Sequence, residues 1–185
     1  MGLLMTASRY SIKSAIMVIY SDMKKQLVIA TKNKHKLREI SEMLADFHFE
    51  VVGLERYPEI PETVEDGTTF EQNAQKKARE VFAVVKTWTL ADDSGLEVEA
   101  LQGAPGVYSA RYAGEGATYE QLCHKLLKEL KDVPANKRKA QFNCTMVLIE
   151  PNGKEHVEVG ICKGHIGHEL KGAHGFGYDP VFICE

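Results

Sequence analysis

A short unbroken apolar run, Gln26 to Thr31, stops at polar Lys32-Asn33 and gives way to apolar positions three and four apart, Leu37, Ile40 and Leu44. The first pattern is that of a buried strand, the second that of a helix with one apolar face, for which Asn33 is a fitting N-cap. Phe49 to Gly53 predicts a second strand. Leu54 to Gly67, with Pro58, Pro61 and four glutamates, predicts a long acidic loop. The clearest helix is Thr68 to Val85: Phe70, Ala74, Ala78, Val81 and Val85 share a face, Thr68 and Glu71 have capping-box spacing, and Lys76, Lys77 and Arg79 fall on the opposite side. A strand then ends at Asp92, Gly95 is expected to turn the chain, and Gly95 to Ala100 reads as a further short strand. Thr118 to Leu130 predicts a helix opened by a Thr118–Gln121 capping box. Ala140 to Glu150 and Val157 to Gly167 predict two antiparallel strands joined by the turn Pro151-Asn152-Gly153-Lys154.

Strand and helix alternate in the first half and strands cluster in the second, which predicts an α/β fold with a mixed β-sheet flanked by helices. A chain of 185 residues fits one domain, placed at residues 23–185. Residues 1–22 read as an extension, flexible or loosely packed, or as an extra helix or partner-binding arm. Their apolar stretch, Ala15 to Tyr20, falls far short of the ~20 residues a membrane span needs, and Met23 has the position of a second translation start. A net charge of −3 gives no bulk attraction to nucleic acid or membrane, so an anionic ligand must be met by a local basic cluster. Cys123, Cys144, Cys162 and Cys184 have no CxxC or zinc-ligand spacing, which favours free thiols and the cytoplasm.

Four segments carry chemistry. Asp92-Asp93-Ser94-Gly95 sets two carboxylates side by side. They repel, and a divalent metal with a phosphate substrate would offset them, Mg²⁺ suiting hard oxygen ligands; the same tetrapeptide reads equally as a solvated turn. Thr31 to Lys36 stands where a strand hands over to a helix, an arrangement that favours anions, or merely a capped helix with a solvated lysine face. Glu65 and Asp66 precede the helix that carries Asn73 and Lys77 at i,i+4 spacing; Glu65 is a candidate metal ligand, while acids before a helix also complement its dipole. Gly172 to Pro180 is a glycine-rich turn in which Phe176 or Tyr178 could stack on a base. His165 and His168 face opposite sides of a strand, which argues against a metal site there.

Thr31-x-Asn33-x-x-Lys36, Glu65 to Ala78, Ala91-Asp92-Asp93-Ser94-Gly95-Leu96, Gly103-Ala104-Pro105-Gly106 with Ser109-Ala110-Arg111-Tyr112, and Gly175-Phe176-Gly177-Tyr178-Asp179-Pro180 occur in this order. The set resembles the inosine triphosphate pyrophosphatase family over residues 24–183. The resemblance implies an elongated mixed α/β fold with two lobes around a deep cleft, a homodimer, and Mg²⁺-dependent cleavage of ITP, dITP or XTP to a monophosphate and pyrophosphate. It implies that Thr31, Lys32, Asn33, Lys34, His35 and Lys36 bind the triphosphate and that Glu65 and Asp93 hold the metal. Asp93 would also act as general base, Asp92 would support the metal site, Ser94 would touch substrate, and Phe176, Gly177, Tyr178 and Asp179 would line the base pocket. Such chemistry needs charge neutralisation around the α-phosphorus, for which Lys36 and Arg111 are the candidates; Arg111 reads equally as a structural ion pair near a dimer interface.

Members of that family continue past the Tyr178-Asp179-Pro180 strand into a lysine and a Ser-His-Arg motif, whereas this sequence stops at Cys184-Glu185. Residues that help recognise a 6-keto purine are therefore expected to be missing. Two alternatives stand beside the leading reading: a nucleotide-binding protein with impaired turnover, and a pyrophosphatase for other modified nucleotides.

Overall fold

The computed structural model describes residues 24–172 and 176–185; the expected extension at residues 1–22 lies outside the described residues. The strands are β1 (Lys25–Ile29), β2 (Phe49–Gly53), β3 (Trp88–Val98), β4 (Lys139–Ile149), β5 (Glu155–Ile166) and β6 (Phe182–Cys184), and the helices α1 (Lys34–Met43), α2 (Phe70–Val85) and α3 (Tyr119–Glu129). One mixed sheet runs β2-β1-β3-β4-β5-β6. β1 pairs parallel with β2 and β3, and every pairing from β3 onward is antiparallel. Among the described residues no helix is long and apolar enough to cross a membrane.

The pleat of the sheet decides which helix covers which face. In β1, Leu27 and Ile29 pack with Ile40 of α1 and with Leu90, Met146 and Leu148. The alternate positions Val28 and Ala30 pack with Ala74, Ala78 and Val81 of α2, together with Ala91, Val147 and Ile149. α1 and α2 thus lie on opposite faces, and the chain passes from one side of β1 to the other between β2 and β3. Further along β3, Leu96 and Val98 pack with Leu122, Cys123 and Leu126 of α3, on the same face as α1. Arg138 is buried and ties this end together, donating to the Leu130, Val133 and Gly167 carbonyls.

Several sequence expectations need correction. β3 is one strand from Trp88 to Val98 rather than two pieces around a turn. Gly95 does not bend the chain; it makes room. A Cβ there would stand 2.5 Å from the Gly106 carbonyl oxygen, 2.5 Å from Ser109 Oγ and 2.8 Å from Phe70 Cε1. The α2 cap is shifted by one residue: Thr69, not Thr68, accepts from the Gln72 N–H, and Gln72 Oε1 accepts from the Thr68 N–H. Lys77, grouped by periodicity with Lys76 and Arg79 opposite the apolar face, is turned inward with a side chain 13 % exposed. Asn33 capping α1 and the reciprocal Thr118–Gln121 box on α3 stand as expected.

Candidate active site

β1 ends at Ile29, which pairs with Leu90. The next segment to bond to β3 on that side enters beyond the acids, where Ser109 Oγ accepts from the Leu96 N–H and the Ala104 carbonyl from the Val98 N–H. Between these two contacts lie Asp92, Asp93 and Ser94, at the carboxyl end of the parallel strands and beside the point where the chain crosses from one face to the other. Open α/β sheets bind ligands at such switch points. A cavity of about 670 Å³ lies there, a volume typical of small-molecule sites.

The wall from the β1–α1 junction is the capped N-terminus of α1, with Lys32 and Lys36 beside it. Thr31 Oγ1 accepts from the Asn33 N–H at 3.1 Å, and Asn33 Oδ1 accepts from the N–H groups of His35 at 2.9 Å and Lys36 at 3.3 Å. These bonds fix the first turn of α1, whose N-terminus favours negative charge. Lys36 Nζ reaches across to Asp92 Oδ2 at 2.5 Å. Burial disfavours the Lys36 ammonium, but the bond and attraction to Asp92, with Asp93 behind it, outweigh burial and raise its pKa.

The pleat also separates the two acids. Asp92 points to the α1 face and Lys36; Asp93 points to the α2 face, where Asn73 Nδ2 donates to its Oδ2 at 2.9 Å and Lys77 Nζ stands 3.9 Å from its Oδ1. Each carboxylate has its own ammonium, which answers the repulsion expected from the sequence without requiring both to share one cation. Asn73, wholly buried, uses its other end to accept from the Gly67 N–H at 2.8 Å, holding the loop that brings in Glu65. Lys77 Nζ bonds Glu65 Oε1 at 2.7 Å, so one ammonium lies between Glu65 and Asp93. Burial raises the Asp93 pKa and the Glu65 charge adds to this; Lys77, Asn73 and Lys36 oppose it. Two carboxylates held around one cation, one of them destabilised by burial, form a hard-oxygen donor pair that fits a divalent metal such as Mg²⁺. Among the described residues no group of three or more His, Cys, Asp or Glu side chains gathers to hold a metal, so remaining ligands would come from substrate or water.

The far wall is the C-terminal turn. Asp179 Oδ2 accepts from the Phe176 N–H at 3.0 Å, and Tyr178 donates its hydroxyl to the Ser109 carbonyl at 2.8 Å. Phe176 presents its ring to the cavity, with Tyr119 beside it. Arg111 lines the cavity too, donating to the Glu65 carbonyl at 3.1 Å and lying over the Tyr108 ring; its contact is with a backbone carbonyl and an aromatic rather than the carboxylate partner of an ion pair.

The cavity therefore gathers Thr31, Lys32, Asn33, Lys36, Glu65, Asp93, Ser94, Arg111, Phe176, Gly177, Tyr178 and Asp179 among the residues picked from sequence. Lys34, His35 and Asp92 do not line it. Lys34 is exposed on the first turn of α1, His35 stacks on Phe176, and Asp92 reaches the site through Lys36. Asn73, Lys77 and Ser109 were not assigned site roles. The i,i+4 spacing of Asn73 and Lys77 is the signal that could have found two of them; nothing local marks Ser109.

A model of the Ham1 family matches residues 27–185. The chain is 48 % identical over 160 residues to a protein of Oceanobacillus iheyensis named dITP/XTP pyrophosphatase, covering 86 % of this chain and 81 % of that one. It is 50 % identical over 158 residues to one of the same name from Geobacter sulfurreducens, covering 85 % and 79 %. Among solved structures, the Ham1 protein of Staphylococcus aureus superposes with a TM-score of 0.75 at 39 % identity, covering 85 % of this chain and 80 % of that one.

Proposed function

The chain belongs to the Ham1 family, and on that premise we propose that it hydrolyses non-standard purine nucleoside triphosphates, ITP, dITP and XTP, to the nucleoside monophosphate and pyrophosphate. The observation that carries this reading is the cleft itself: the capped N-terminus of α1 with Lys32 and Lys36, the Glu65–Lys77–Asp93 cluster, and the aromatic turn with Phe176 line one cavity. A triphosphate and a planar base need those surfaces in that order. Relatives named as pyrophosphatases favour turnover over a binding-only role.

The roles follow from chemistry. The Thr31 hydroxyl and the Asn33 side-chain amide N–H, with Lys32 and the positive N-terminal end of α1, bind phosphate oxygens. Lys36 and Lys77 withdraw charge from the phosphates, and Arg111 adds to this from the other side. Glu65 and Asp93 would hold Mg²⁺, which when bound polarises phosphoryl oxygens as a Lewis acid. Asp93 orients water and takes its proton. The water oxygen bonds to the α-phosphorus, the bond from that phosphorus to the bridging oxygen breaks, and pyrophosphate leaves with the electron pair. Asn73 holds Asp93 in place. Ser94 contacts substrate, and Phe176 to Asp179 form the base pocket.

The same reading includes the cytoplasm and a homodimer. Four free thiols favour the former. Val159, Ile161 and Ile183 are large apolar side chains left exposed on β5 and β6, which favours the latter; light scattering on the purified protein tests it. The function is tested by pyrophosphate release from ITP, XTP, GTP, ATP and a modified pyrimidine triphosphate with Mg²⁺, beside an Asp93→Asn control. Release from ITP and XTP well above the control and above ATP supports the reading, and no release from any of them overturns it.

A further inference from the structure

His35 sits in the first turn of α1, locked there by its N–H bond to Asn33 Oδ1 at 2.9 Å. Its ring does not line the cavity but lies nearly parallel to that of Phe176, with centroids 5.8 Å apart and 12° between planes. Phe176 does line the cavity, with Tyr119 tilted against it at 6.2 Å and 55°. The 5.8 Å centroid separation is that of an offset-stacked pair and leaves no room for a base between the two rings. A base can therefore reach Phe176 only on the face turned to the cavity.

We propose that His35 is a positioning residue for base recognition: it backs the outer face of Phe176 and fixes the plane on which a purine stacks from inside the cleft. This rests on the nucleotide-hydrolysing function proposed above. The contact joins two parts of the site, because the residue that backs the stacking ring belongs to the α1 turn capped by Asn33, and Asn33 and Lys36 of that turn line the cavity. Among the described residues Phe176 also exchanges two hydrogen bonds with Asp179 and meets the tilted Tyr119 ring, and His35 supplies the ring that lies parallel to its own.

The test uses His35→Ala and His35→Phe in the full chain, with two ligands that share phosphates and differ in the base. KM and kcat are measured for ITP, and the inhibition constant for inorganic tripolyphosphate, which has no base to stack. His35→Ala is expected to raise KM for ITP about 2–10-fold, the range of an aromatic stacking contact, with a smaller change in kcat and no change in the tripolyphosphate constant. His35→Phe, which restores a flat ring, is expected to return KM to near the wild-type value. An unchanged KM, a parallel weakening of tripolyphosphate, or failure of the phenylalanine to rescue overturns the proposal. Calorimetric binding of inosine 5′-monophosphate keeps the question separate from turnover. If the wild type hydrolysed nothing, the proposed activity would fall, while equal affinity of wild type and His35→Ala for the monophosphate would by itself overturn the stacking role.

Discussion

Replacing Lys36 with methionine keeps most of the side-chain volume and removes the charge. Asp92 would then be left with a side chain 5 % exposed, and with Ser94 Oγ at 3.4 Å as its remaining side-chain partner. Removing one partner of a buried pair costs about 3–5 kcal/mol, because the other charge stays desolvated and unpaired. Lys36 is itself 20 % exposed, so the lower end applies, about 3 kcal/mol. For a domain of this size each kcal/mol moves the melting temperature about 2–4 °C, giving a fall of about 6–12 °C. Asp92→Asn leaves the cation with water access and the charge of Asp93, and should cost about 1 kcal/mol. In Lys36→Met/Asp92→Asn no charge is stranded, so the double variant should be more stable than Lys36→Met alone, with a coupling of about 2 kcal/mol or more in a double-mutant cycle. Urea unfolding at neutral pH measures all four species. Additivity of the single effects to within about 0.5 kcal/mol would refute the reasoning. The sign with pH is also fixed. The pKa of Lys36 is raised in the folded state, so its pairing contribution is fully present below the ordinary lysine value of 10.5 and is lost as pH climbs through the folded value.

Asp93→Asn should cut pyrophosphate release from ITP by about 10²–10⁴-fold, yet not lower the melting temperature, since burial disfavours that carboxylate in the fold; a large fall in melting temperature would contradict its placement. Gly95→Ala drives a Cβ to 2.5 Å from two oxygens and 2.8 Å from Phe70 and should cost about 1–3 kcal/mol, read by thermal melting. Asn73→Ala strips both Asp93 and the Gly67 N–H of a partner and should lower stability by about 1–3 kcal/mol and kcat with it, whereas a loss in KM alone would argue against a role beside Asp93. Chelation with EDTA should abolish pyrophosphate release and added Mg²⁺ restore it; activity that survives chelation would remove the metal from the proposed mechanism.

Helices and strands with regular apolar spacing were legible almost to the residue: β2, the α1 cap at Asn33, the α3 capping box and the β4–β5 pair all stand where the pattern puts them. β3 was cut short because Gly95 reads locally as a turn, while its real constraint is the approach of Gly106, Ser109 and Phe70, which are distant in sequence or on other elements. Lys77 was misplaced for a related reason. Helical periodicity assigns it with Lys76 and Arg79, but the chain brings Glu65 and Asp93 to that side of α2, and two carboxylates draw the lysine inward. Candidate acids and lysines can be named from residue chemistry. Which lysine serves which acid is set by the pleat of β3, and that became legible only once its length was known.

The stretch of β3 from Asp92 to Ser94, bounded by the end of β1 and by the Ser109 contact at Leu96, has an evolutionary consequence. Its place in the cleft is fixed by strand pairing and by the crossing of the chain from one face to the other, and of the C-terminal turn's side chains it is Tyr178 that bonds to this frame, through the Ser109 carbonyl. The side chains proposed to meet a base, Phe176 to Asp179 on the C-terminal turn, belong to another element. On the proposed function, substitutions on the turn would alter the surface offered to a base while the acids stay where the sheet puts them.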